Sequence, residues 1–185
     1  MDPIETLERS LDTAGDVLAA IPADKLDAPT ACPAYDVRAL TQHLVVSLAY
    51  FATSATGEES AVEMGDDPKA AFDEAAAKLT GAWKQPGMLD KTFTLPFGDF
   101  PGSAIVAMGA MEALTHAWDL ARATGQSTAF PEDLSGEVLA IAQGMLQPHF
   151  RGEGPDASFG PEREAPADAH AADRLAAFMG RDPQG

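Results

Sequence analysis

The sequence predicts an all-α fold, a helical bundle of four long helices with two short helical additions. Three observations lead there. Apolar residues recur at helical spacing through six separated segments. Proline, aspartate and glycine stand where helices begin and end. One stretch alone, 91–101, shifts to the alternating pattern of extended chain.

Asp2 and Pro3 read as an N-cap and a first-turn proline. They open a helix with Ile4, Leu7, Leu11, Val17 and Leu18 on one face, ending at Pro22. Residues 22–35 form a connector interrupted by Pro22, Pro29 and Pro33. Asp36 caps a second helix, expected to run to about 54, with Val37, Leu40, Leu44, Ser47, Tyr50 and Phe51 at helical spacing and His43 at the edge of the stripe. Residues 55–66 are small and acidic and read as a loop. A third helix is expected over 67–84 with Phe72, Ala76, Leu79 and Trp83 inward. The stretch 91–101, with Gly98-Asp99 inside it, predicts a short extended excursion. The longest helix follows over 102–124, with Gly125 placed to end it. Pro131 is expected in the first turn of a helix reaching about 146, bearing Leu134, Val138, Ile141 and Met145. Residues 148–166 are rich in glycine and proline and predict irregular chain. A last short helix is expected over 167–179, closed by Gly180.

At 185 residues the chain is expected to form one domain, 1–185, large enough for a sizeable core. Twelve basic residues against 29 acidic ones give a net charge of −17. That argues against nucleic acid, whose phosphates require neutralisation by Lys and Arg, and against anionic membrane surfaces. No run approaches the roughly 18 apolar residues of a membrane span. The acidic N-terminus lacks the pattern of a signal peptide. A cytoplasmic protein is the expectation. The single cysteine, Cys32, leaves no internal disulfide.

The chemistry concentrates on Glu112 and His116, four residues apart inside the longest apolar helix, with His43 on another. A core helix seldom buries a carboxylate without a partner, since the unpaired group costs several kcal/mol. Positions i and i+4 lie about 5–6 Å apart at Cβ on one face, and bundles build metal sites from such pairs plus a ligand on a facing helix. The spacing therefore leaves two readings: a His/Glu/His metal site, or a buried Glu–His hydrogen bond with His43 an unrelated core histidine. Asp119, on nearly the same face as His116, reads either as an acceptor behind that imidazole or as a solvated aspartate. His149 and His170 read as surface or helix-end histidines, Cys32 as a small packed hydrophobe, Trp83 and Trp118 as core aromatics. Met108 and Met111 read as packing beside Glu112, with Met108 also placed to line a pocket there, and Arg38 and Arg122 read as partners either of acids or of an anionic substrate group. No residue stands out as a separate general base, and no glycine-rich stretch has phosphate-loop spacing.

Residues 32–45 (Cys32-Pro33-Ala34-Tyr35-Asp36-Val37 through His43-Leu44-Val45) resemble the second-helix signature of mycothiol-dependent maleylpyruvate isomerase N-terminal domains, which belong to the DinB-like metal-binding four-helix bundles. Residues 112–125 (Glu112-Ala113-Leu114-Thr115-His116 to Gly125) resemble a second signature of that group. The tail from Phe159 to Pro183 is similar to a single-domain, largely uncharacterised metal-binding subfamily. The resemblance implies an up-down four-helix bundle with a metal at one end of its core, held by His43, Glu112 and His116. It implies a divalent metal, zinc first, with nickel, iron or manganese compatible with the same donors. It further implies a low-molecular-weight thiol such as mycothiol, and transfer or isomerisation chemistry on a small electrophile. The isomerases' second, C-terminal domain is not expected within these 185 residues. A non-catalytic metal- or ligand-binding module is the alternative, and either form is compatible with a monomer or a homodimer.

Overall fold

The computed structural model describes residues 1–57, 65, 67–152 and 159–184. Its first three helices start where an aspartate side chain meets their first free N–H groups. In α1 (Pro3–Ala19) the Asp2 carboxylate accepts from the N–H of Ile4 at 3.0 Å and of Glu5 at 3.3 Å, with Pro3 in the first turn. In α2 (Val37–Thr56) Asp36 accepts from the N–H of Ala39 at 2.8 Å. In α3 (Pro68–Trp83) Asp67 accepts from Lys69 and Ala70, again with a proline first. Strands β1 (Thr92–Leu95) and β2 (Gly98–Pro101) form an antiparallel hairpin that pairs Thr92 with Pro101 and Leu95 with Gly98. This is the expected excursion near 91–101. Then come α4 (Gly102–Thr124), α5 (Glu132–Met145) and α6 (Ala171–Phe178). The architecture is mostly helical, as expected.

Helix directions follow from contacts at the ends. Gln126, just past α4, donates from Nε2 to the Val17 carbonyl near the end of α1 at 3.1 Å, so those two helices finish together. Trp83, the last residue of α3, donates from Nε1 to the Phe51 carbonyl in the last turns of α2 at 3.0 Å, so this pair finishes together at the opposite end. The bundle therefore runs up, down, down, up, with α1 packed on α4 and α2 on α3. Its core is continuous: Leu7, Leu40, Leu44, Leu48, Phe72, Leu79, Trp83, Ile105, Leu114, Trp118 and Leu120 are all nearly or fully enclosed. Where α4 leaves the hairpin, Gly102 is required, because a Cβ there would overlap the Met88 carbonyl and the Trp83 ring.

Several boundaries differ from expectation for local reasons. Helix α2 continues to Thr56 and is closed by Gly57 at φ 74°; most of the acidic loop expected over 55–66 lies outside the described residues. Its buried stripe is Val37, Leu40, Thr41, Leu44, Val45, Leu48, Ala49 and Ala52. Tyr50 faces out at 38% exposure, because the stripe continues through Leu48 and Ala52 in steps of four from Leu44. Pro131 precedes α5 instead of occupying its first turn. Helix α6 begins at Ala171, not 167, since its first free N–H is met by Glu132 of α5, whose Oε2 accepts from Ala171 at 2.9 Å. No helix among the described residues is long and apolar enough to cross a membrane.

Candidate metal centre

His43 lies two turns into α2, and Glu112, at the middle of α4, lies one turn before His116. Because α2 and α4 run in opposite directions, the start of one meets the later turns of the other, and the three side chains converge. Glu112 Oε1 is 3.0 Å from His43 Nε2 and 3.4 Å from His116 Nε2. One donor atom from each residue lies within 4.8 Å of the other two. Bonds of about 2.0–2.2 Å to a shared zinc-sized cation place donors about 3–4 Å apart, close to this spacing. The cluster is sheltered but not sealed: His43, Glu112 and His116 side chains are 33%, 23% and 8% exposed.

Both rings are held from behind. His116 Nδ1 is 2.9 Å from Asp119 Oδ2. Asp119 is fully enclosed, and Arg181 grips it with Nε 3.1 Å from Oδ1 and Nη2 2.8 Å from Oδ2. His43 Nδ1 is 3.3 Å from the Tyr35 hydroxyl, and the two rings stack with centroids 4.8 Å apart. Each Nδ1 thus has a partner away from the cluster, and each Nε2 is turned toward Glu112. That is how metal-binding histidines are oriented by outer partners.

The electrostatics of the cluster follow from burial opposed by pairing. Burial pushes the Glu112 carboxyl up, but the two imidazoles outweigh it and hold the group well below the usual carboxylate range. Burial disfavours a charged His116, yet Glu112 and Asp119 prevail and raise that ring to about 9. Burial likewise opposes ionisation of Asp119, and His116 and Arg181 together lower it. Glu112 Oε1 is enclosed and makes no directed hydrogen bond. A buried carboxylate oxygen facing two imidazole nitrogens is a donor set that suits a divalent cation.

The remaining candidates fall outside this cluster. His149 is exposed against Phe150, and exposed His170 meets Glu132 at 3.1 Å. Neither joins a group of three potential ligands among the described residues. Cys32 is half-buried, and burial pushes its thiol up despite nearby Arg181, which fits a packed side chain better than a thiolate nucleophile. Trp83 and Trp118 are each 1% exposed, and Met111 is buried. Arg38 pairs with Asp27 at 3.2 Å, and the Arg122 guanidinium lies 5.8 Å from the Trp118 ring centre. A cleft of about 560 Å³ is lined by Pro29, Thr30, Ala31, Arg122, Gln126 and Thr128 among others, and by none of the three donors. Residue reasoning missed Tyr35 and Arg181. The available signals were an aromatic just before the Asp36 cap and a cation just after Gly180.

Residues 7–121 match the family described as the mycothiol maleylpyruvate isomerase N-terminal domain. An uncharacterised protein found in two strains of Mycobacterium tuberculosis is 37% identical over 181 residues, covering 98% of each chain. Among solved structures, the mycothiol-dependent maleylpyruvate isomerase aligns with a TM-score of 0.57 at 15% identity, and a histidine-to-alanine mutant of it with 0.59 at 14%. Both alignments cover 75% of this chain and 67% of the isomerase, a likeness of fold.

Proposed function

The chain belongs to the mycothiol maleylpyruvate isomerase N-terminal domain family, and on that premise we propose that it is a divalent-metal-dependent thiol transferase or isomerase acting on a small electrophile. The observation that carries this reading is the convergence of His43, Glu112 and His116, with both Nδ1 atoms engaged elsewhere. His43 and His116 would serve as neutral nitrogen ligands through Nε2, and Glu112 as the anionic oxygen ligand. Catalytic zinc sites use three protein ligands where structural ones use four, and the described residues offer no fourth. A bound divalent cation supplies a Lewis acid that lowers the pKa of a coordinating thiol or water. Zinc suits the mixed nitrogen and oxygen set best; nickel, iron and manganese accept the same donors.

The chain's own residues prepare the site. Asp119 holds the Nδ1 side of His116, leaving Nε2 directed at the cluster, and Tyr35 does the same for His43. The adjoining turns contribute Leu40, Leu44, Ala113 and Ala117 to the apolar core, which limits water on the inner side. The partial exposure of His43 and Glu112 leaves an outer approach for a small thiol of the mycothiol type and its electrophile.

One observation favours a non-catalytic metal- or ligand-binding module: the cleft of about 560 Å³ is not lined by the three donors. Metal analysis separates both readings from a purely structural cluster. Protein purified without chelators should carry about one divalent ion per chain, and chelation should lower its melting temperature. Absence of bound metal, together with unchanged melting on adding Zn²⁺, overturns the proposal. Turnover of mycothiol with maleylpyruvate, or with other small electrophiles, by loaded protein then distinguishes the enzyme from the module.

A further inference from the structure

Resting on the metal reading above, we infer that Arg181 is a positioning residue for the centre, setting the plane of the Asp119 carboxylate that aims His116 Nε2 at Glu112. A carboxylate turns easily about its last torsion, where rotamer wells are broad, so one imidazole contact does not fix it. The Arg181 guanidinium does. Its Nε lies 3.1 Å from Oδ1 and 3.3 Å from Oδ2, its Nη2 lies 2.8 Å from Oδ2, and its Nη1 donates to the Met179 carbonyl at 2.8 Å. A planar donor fork gripping both oxygens dictates where Oδ2 points. Oδ2 is the atom that meets His116 Nδ1 at 2.9 Å.

The tail is built to deliver this side chain. Helix α6 ends in a Schellman turn: Gly180 donates to the Ala177 carbonyl at 3.0 Å and Arg181 to that of Ala176 at 2.9 Å. Gly180 sits at φ 91°, and a Cβ there would come within 2.9 Å of Gly160 Cα. Two glycine backbones therefore close on each other and carry the chain back toward α4. Arg181 lies beyond the matched residues 7–121, so the centre draws on a part of the chain outside that segment.

The test compares wild type with Arg181→Gln and Arg181→Lys. Zn²⁺ affinity is read by competition with a chromogenic chelator, the site's geometry by the visible spectrum of Co²⁺-loaded protein, and folding by circular dichroism. Removing an outer partner of a ligating histidine typically weakens metal binding about 10–100-fold. Arg181 acts one step further out, through Asp119, so Arg181→Gln is expected to lose about tenfold, the low end of that range, with an altered Co²⁺ spectrum. Arg181→Lys should recover only part of it, because lysine restores charge without the fork. A folded Gln variant with wild-type affinity and spectrum makes Arg181 a tail anchor only and overturns the inference. If the Gln variant does not fold, the Lys variant decides: an intermediate affinity supports the fork, and wild-type behaviour overturns it. Wild type that binds neither metal defeats the metal reading and this inference together, whereas binding wild type with unaffected variants defeats this inference alone.

Discussion

Metal binding to this chain should release protons, and its pH dependence should report His116. In the unliganded protein Glu112 and Asp119 overcome burial and raise that ring to about 9. At pH 7 it therefore carries a proton on the side that faces Glu112, and the cation must displace it. Two pH units below that pKa, the competition weakens apparent Zn²⁺ affinity roughly 100-fold, or about 3 kcal/mol. Affinity should rise close to tenfold per unit between pH 6 and 8. Calorimetric titrations at pH 7 in buffers of different ionisation enthalpy should show about one proton released per metal. Affinity independent of pH over that range, with no buffer-dependent heat, would refute the argument.

The same shift makes a linked prediction whose sign is opposite for the metal-free protein. A histidine whose folded pKa lies above its unfolded value of about 6.5 stabilises the fold fully below the unfolded pKa. That contribution is lost as pH rises through the folded value. Metal-free protein should thus lose stability between about pH 6.5 and 9 on account of His116. The gain in melting temperature on adding Zn²⁺ should widen over the same interval.

Other perturbations probe single links. Glu112→Gln should keep the fold, since side-chain volume is nearly unchanged, while Zn²⁺ affinity falls at least tenfold; equal affinity in a titration excludes Glu112 as a ligand. His116→Ala should lose more, and should also destabilise the fold by about 2–3 kcal/mol through the cavity it leaves, as measured by denaturant unfolding. Asp119→Ala should be more damaging to the metal-free fold, because Arg181 would stay buried without its carboxylate; breaking such a pair costs about 3–5 kcal/mol. Gly102→Ala should destabilise the hairpin–α4 junction without changing metal affinity of the folded fraction, since its Cβ would meet the Met88 carbonyl far from the donors.

What was legible in the sequence follows from the range over which each signal acts. Asp2, Asp36 and Asp67 cap their own helices through N–H groups two or three residues away, so three helix starts could be read locally. The pairing of Glu112 with His116 is likewise a one-turn relation, and apolar periodicity put His43 on the rim of a facing helix. Asp119 was only half readable. The step of three toward His116 was plain, but its complete burial depends on the tail that folds over it. Tyr50 was misplaced because Ser47 and Leu48 both continue the helical spacing from Leu44, and only the packed neighbours select Leu48. The start of α6 was misplaced because its capping carboxylate, Glu132, belongs to α5. Arg181 and Asp119 are 62 residues apart, and no periodicity links them. Glu112, His116 and Asp119 are thus local to α4, whereas Tyr35 behind His43 and Arg181 behind Asp119 come from the connector before α2 and the turn after α6. Substitutions in those two segments should disturb the orientation of a bound metal while leaving the four-helix core intact.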